Sequence, residues 1–253
     1  MKPIPTALRL AVFAGLLALF LSPASAQVVV QDVGGAPMMY SGQVNPRAVV
    51  FVFAGGDGTV NFDGTGRITH MGNNFLIRTQ PLWLAQGFAY MTLGASLSLM
   101  GQRHTPAYAQ LIGRAIDAAR ARTGAPIWLI GTSMGSIAAA NGAAHLPGKV
   151  AGVVLTSSVA APNRISGETV FDSELGMIAV PALVVANRGD TCPDAAPGFA
   201  PQILAALTRS PRREAIYVES REQRSAPCEA MSPHGYLGIE ADVVRQISEW
   251  IRS

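Results

Sequence analysis

Residues 127–142 read IWLIGTSMGSIAAANG, an apolar strand-like run that breaks at Gly131 and resumes after Gly135 as small residues. A chain that passes from extended to helical within so few residues needs a sharp turn. Glycines two positions before and two after Ser133 remove side chains that would collide there. The plain reading is a tight turn. The chemical reading is that Ser133 is a nucleophile lifted on that turn at the carboxyl end of a strand, where parallel sheets meet their ligands.

The surrounding elements decide how much weight that motif bears. Upstream, Ala48–Gly56 (AVVFVFAGG) is a continuous β-branched and aromatic run ending in glycines, the pattern of a strand buried on both faces. Gly55–Asn74 is rich in Gly, Asp and Asn and predicts irregular structure. FLIRTQPLWLAQG then predicts a helix interrupted by Pro81, and Phe88–Leu93 a second buried strand. Thr105–Thr123 has apolar residues at helical spacing, with Thr105 as cap before Pro106. Downstream come strand KVAGVVLTSS, a 21-residue connection from Val159 to Ala179, strand VPALVVANRGD and helix GFAPQILAALTR. Strand EAIYVES and the amphipathic helix GIEADVVRQISEWIRS close the chain. Strands alternate with helices throughout. That order predicts an α/β fold with a mostly parallel central sheet flanked by helices on both faces.

The first residues are set apart from this pattern. A basic start (Lys2, Arg9), an apolar run from Leu10 to Leu21 and the small residues Ala24 and Ala26 have the form of a cleaved signal peptide over 1–26. The run is short of the roughly 20 residues a membrane-spanning helix needs. An exported, periplasmic or secreted protein with a single domain over 27–253 is therefore expected, free of the membrane once cleaved. Removing Lys2 and Arg9 lowers the formal charge from +3 to +1, and no basic-aromatic cluster suggests nucleic acid. The two cysteines, Cys192 and Cys228, are expected to form a disulfide in an oxidising compartment rather than a zinc site, since no histidine cluster accompanies them.

With G131-T-S133-M-G135 between a strand and a small-residue helix, the chain resembles the α/β-hydrolase family from Ala48 to its end. The resemblance implies a serine nucleophile, then an acid after a later strand, then a histidine before the last helix. His70 and His104 precede Ser133, and His145 ends the helix that Ser133 begins, which leaves His234 in the SPHGYLG loop. Asp190, directly after the strand ALVVAN, is the expected acid, with Asp194 as alternative and Glu219 and Glu222 further behind. The implied oxyanion donors are the main-chain N–H groups of Met134 and of the loop after the first apolar strand, Gly56 foremost, then Gly55 or Asp57. Where many family members have His-Gly, this chain has Ala54-Gly55, a departure that main-chain donors tolerate.

The implied activity is hydrolysis of a carboxylic ester, with amide hydrolysis or acyl transfer as variants and a non-catalytic binding module as the alternative class. None of these needs a cofactor or a metal. The partner is a small-molecule or acyl-ester substrate. A multi-helix lid does not fit the 21-residue connection, so the irregular Gly55–Asn74 segment is expected to wall an open site. Phe62, Met71, Trp83 and Met134 are candidates for its apolar lining, although residues of these types more often belong to the core. Arg103 and Arg164 are candidates to meet an anionic substrate, or solvated surface cations.

Overall fold

The computed structural model describes residues 27–162 and 167–253; the expected signal peptide over 1–26 and Arg164 lie outside them. In chain order the elements are β1 (Gln27–Asp32), β2 (Pro37–Gly42), β3 (Val49–Phe53), β4 (Asn61–Phe62), β5 (Ile68–His70), α1 (Phe75–Arg78), α2 (Gln80–Ala85) and β6 (Ala89–Leu93). They continue with α3 (Pro106–Arg120), β7 (Ile127–Thr132), α4 (Gly135–His145), β8 (Gly152–Thr156), β9 (Ala182–Asn187), α5 (Ala200–Ala206), β10 (Arg213–Val218) and α6 (Glu240–Arg252). Eight strands form one sheet in the order β1-β2-β6-β3-β7-β8-β9-β10. The six from β6 to β10 are mutually parallel, while β1 and β2 pair antiparallel at one edge.

Strand alternation divides the core in two. Val49, Phe51 and Phe53 of β3 face the side covered by α3, α4 and α5, where Ile112, Ile116, Ala139 and Ile203 pack. Val50 and Val52 face the other, with Phe75, Trp83, Val243, Ile247 and Trp250 of α1, α2 and α6. This double coverage is why the central strands read as unbroken apolar runs.

Three details depart from expectation. Residues 27–42 contribute β1 and β2, which pair along their whole length although neither stood out as a buried run. The irregular segment holds a short antiparallel pair, β4 with β5. Around Pro81 the chain forms two short helices rather than one interrupted helix, because Thr79 ends α1 and begins α2, its hydroxyl donating to the Phe75 carbonyl. Among the described residues no helix is long and apolar enough to cross a membrane.

Sheet order locates the site. β3 is followed in space by β6 on one side and β7 on the other, so the winding reverses between β3 and β7. Such a switch point opens a crevice outside the carboxyl ends of the strands. Register brings Phe53 opposite Gly131 and Thr132 opposite Thr156, so the loops leaving β3, β7 and β8 emerge side by side.

Candidate active site

Ser133 follows β7 with φ +54°, a left-handed backbone that a non-glycine residue adopts only when its surroundings enforce it. Its N–H donates to the Thr156 carbonyl at 3.0 Å, and its own carbonyl accepts from both the N–H (3.0 Å) and the hydroxyl (2.6 Å) of Ser136. The flanking glycines are required by contact. A Cβ on Gly131 would stand 2.3 Å from the Gly135 carbonyl oxygen, and one on Gly135 would stand 2.1 Å from that of Phe53. The turn therefore packs directly on the end of β3. Met134 is buried with Ile137 and Val159 and immediately precedes α4.

Asp190 closes the turn after β9, and His234 sits in a short helical turn, Pro233–Gly235, ahead of α6. The structure brings them into direct contact, with His234 Nδ1 2.8 Å from Asp190 Oδ2 and the residues 3% and 5% exposed. The other carboxylate oxygen, Oδ1, accepts the Cys192 N–H at 2.9 Å. A carboxylate only accepts, so this pairing puts the proton on Nδ1 and leaves Nε2 with a lone pair. Nε2 is buried and makes no hydrogen bond.

Ser133 and His234 line the same open cavity of about 260 Å³, together with Gly55, Gly56, Met71 and Phe75. Gly55 lies against the serine, since a Cβ there would be 2.8 Å from the Ser133 Cβ. Of the four expected lining residues the cavity takes Met71. Trp83 is fully buried in the core, Phe62 packs at its margin, and Met134 packs with α4. The irregular segment does form a wall, through Met71, Asn73 and Asn74.

The other candidates fall elsewhere. Asp194 uses its backbone carbonyl to accept from Ala160 and Ala161, whereas Glu219 pairs with Arg221 and Glu222 with Arg224, all three apart from His234. His104 pairs with Glu168 and His145 with Glu174, and His70 is exposed on β5. Arg103 is neither a substrate-facing cation nor a solvated one. It is 1% exposed, and its Nη2 donates to the Gly56 carbonyl at 2.9 Å. Burial lowers its pKa, and nearby Tyr108, Glu168 and Asp57 push it back up.

Cys192 and Cys228 form a disulfide, with Cα atoms 4.7 Å apart. Asp194 lies near both sulfurs, but these are bonded to each other and not free as thiolate ligands. The bridge joins the Asp190 turn to the segment beside His234. Ser232 completes the link: its hydroxyl accepts the His234 N–H at 3.2 Å and donates to the Pro227 and Glu229 carbonyls at 3.0 and 2.7 Å.

Two further side chains hold the histidine loop. Asn187, at the end of β9, donates to the Pro233 carbonyl at 2.7 Å and accepts from the Gly189 and Ser220 N–H groups. Arg78 donates to the Gly235 and Asn73 carbonyls, each at 2.6 Å, with Glu240 2.9 Å from its Nη2 as counter-ion. Periodicity marked neither, because their partners are main-chain carbonyls far along the chain. Asn187 was legible only as the polar last residue of an apolar strand.

No protein-family model and no curated protein matches this sequence. Solved structures do match. Est1E from Butyrivibrio proteoclasticus superposes with a TM-score of 0.59 at 12% identity over 90% of this chain and 97% of its own. A dienelactone hydrolase from Anabaena variabilis gives 0.60 at 15%, with the same coverage. An esterase from Pyrococcus furiosus gives 0.64 at 11%, over 90% of this chain and 91% of its own. Likeness at such identities lies in the course of the backbone. By sheet order, by the turn at Ser133 and by these superpositions, the chain has the α/β-hydrolase fold.

Proposed function

We propose that the protein is an exported serine hydrolase that cleaves a carboxylic ester through an acyl-enzyme intermediate. The observation that carries this reading is the buried pair of Asp190 and His234. One imidazole nitrogen is bound to the carboxylate and the other left unpartnered, in a ring that shares a cavity with the strained Ser133.

In this mechanism Nε2 of His234 takes the Ser133 hydroxyl proton as Oγ bonds to the ester carbonyl carbon. The resulting oxyanion is met by the N–H groups of Met134 and Gly56. The imidazolium, stabilised by Asp190, then gives its proton to the leaving alkoxide. A water repeats the sequence on the acyl-enzyme and frees the acid. Ser133 Oγ makes no hydrogen bond to Nε2 in the free protein, and such contacts commonly tighten only when substrate is bound. Export is supported by the disulfide. The esterase, monoglyceride lipase and dienelactone hydrolase among the superposed structures support the reaction class.

A cavity of about 260 Å³ lies just below the roughly 300–1,000 Å³ of drug-sized ligand pockets, which favours a compact acyl group. On a series of p-nitrophenyl esters, kcat/KM is expected to peak at short acyl chains and to fall at least about tenfold by decanoate, one to two kcal/mol in transition-state terms. A fluorophosphonate probe is expected to label Ser133 stoichiometrically. An unlabelled protein, inert towards every ester of the series, would instead be a binding module of this fold.

The bridge supplies another prediction. A disulfide closing a loop of this size contributes about 2–4 kcal/mol. Reduction, or the pair Cys192→Ser and Cys228→Ser, is expected to lower the thermal midpoint by several degrees. It should also lower kcat at temperatures where the protein remains folded, since the bridge preorganises two catalytic loops. Unchanged midpoint and unchanged turnover together would refute that role.

A further inference from the structure

Arg103 lies between β6 and α3, and the chain around it is pinned from α4, where the Asn141 amide donates to the carbonyls of Arg103 (2.8 Å) and Thr105 (2.9 Å). Its guanidinium enters a narrow space among Val52, Val60, Thr92, Leu93, Leu99 and Tyr108, leaving room of about 10 Å³, that of a single water. Among the described residues no carboxylate comes within ion-pair distance of it, and Nη1 is buried without a partner. An incompletely paired buried cation is unfavourable, and an apolar side chain would fill this space at less cost. Packing alone does not explain an arginine here.

Among the described residues the guanidinium's one hydrogen-bond partner is a main-chain group, the Gly56 carbonyl, at 2.9 Å. Gly56 adopts φ +58°, and with no Cβ nothing of its own limits rotation of the adjoining peptide planes. It lines the catalytic cavity, while Arg103 lies outside that cavity. A carbonyl held towards Arg103 is thus held away from the reacting centre, which fixes the Gly56–Asp57 peptide: its N–H, that of Asp57, points the opposite way, and the Gly56 N–H one plane earlier is left fewer orientations.

We propose that Arg103 is a positioning residue for the oxyanion hole: it anchors the Gly56 carbonyl so that the main-chain donors of Gly55–Asp57 stay turned to the Ser133 side. This rests on the ester-hydrolase reading above. Were the anchor lost, the loop could present a carbonyl oxygen, or no donor at all, to the developing oxyanion. Binding of the neutral ester would change little, because the deficit falls on the transition state.

The test is kcat per fluorophosphonate-titrated site for Arg103→Met and Arg103→Lys, with KM and the affinity of a boronic acid that forms a tetrahedral adduct on the serine. Loss of one oxyanion donor typically costs 10²–10³ in kcat. Arg103→Met is expected to lose about that much in kcat and in boronate affinity, with KM changed less than about threefold. Arg103→Lys, which can still donate to Gly56, is expected to recover about tenfold of the loss. A merely structural role would lower the titratable fraction and the thermal midpoint but leave kcat per site intact, and that result overturns the proposal. If Arg103→Met does not fold, Arg103→Gln, which removes the guanidinium while keeping a polar side chain in the same space, carries the same test. A wild-type protein that neither labels nor turns over esters fails the ester-hydrolase reading itself, a different result from an active enzyme indifferent to Arg103.

Discussion

Ser133→Ala is expected to remove about 10⁵–10⁶ of kcat on the best p-nitrophenyl ester while leaving the protein folded. The size follows from the loss of the covalent route: without Oγ, what survives is acceleration from binding and from the oxyanion donors. The fold should not suffer, because the hydroxyl contributes nothing to the turn, which is held by the Ser133 N–H and carbonyl. The left-handed backbone at this position costs a side chain roughly 1–2 kcal/mol. Ser133→Gly is therefore expected to be as inactive as Ser133→Ala yet to melt a few degrees higher. Residual turnover within tenfold of wild type in Ser133→Ala would remove the serine from the chemistry.

Asp190→Asn is expected to lower kcat by about 10⁴, and the local hydrogen bonds say why. The Cys192 N–H binds Oδ1 and, being a donor, would keep the amide oxygen of an asparagine at that position. The NH₂ group would then face His234 Nδ1 at the place of Oδ2. Nδ1 would be forced to accept, the proton would move to Nε2, and the base could no longer take the serine proton. Asp194→Asn, whose side chain is apart from His234, serves as the control and should stay within a few-fold of wild type. Equal losses in the two variants, measured at equal thermal stability, would show that Asp190 acts through folding rather than through the histidine.

Much of this was legible in the sequence because it depended on local signals. Unbroken apolar runs such as AVVFVF and ALVVAN mark strands covered on both faces, since no residue of such a strand meets water. Glycines flanking Ser133 mark a turn too crowded for side chains. Other features were hidden for equally physical reasons. QVVVQD is an edge strand with mixed exposure, and PMMYSG, buried between it and β6, breaks its run with Ser41 and Gly42, so neither carries the continuous β-branched signature. Arg103 was misread because nothing in GQRHT shows that its side chain turns inward to a carbonyl 47 residues away in sequence. The pairings of Arg78 and Asn187 were equally silent.

The sequence by itself determined the alternation of strands and helices, the serine on its turn, and a single histidine in the right place in the order. All of these follow from side-chain volume, polarity and backbone freedom over a few neighbouring residues. Only the tertiary structure decided that His234 meets Asp190 rather than Asp194, that Met71 walls the cavity, and that a buried guanidinium holds the Gly56 loop. Those contacts join segments far apart in the chain. Their geometry is set by sheet register and helix packing, which a linear pattern of residues does not carry.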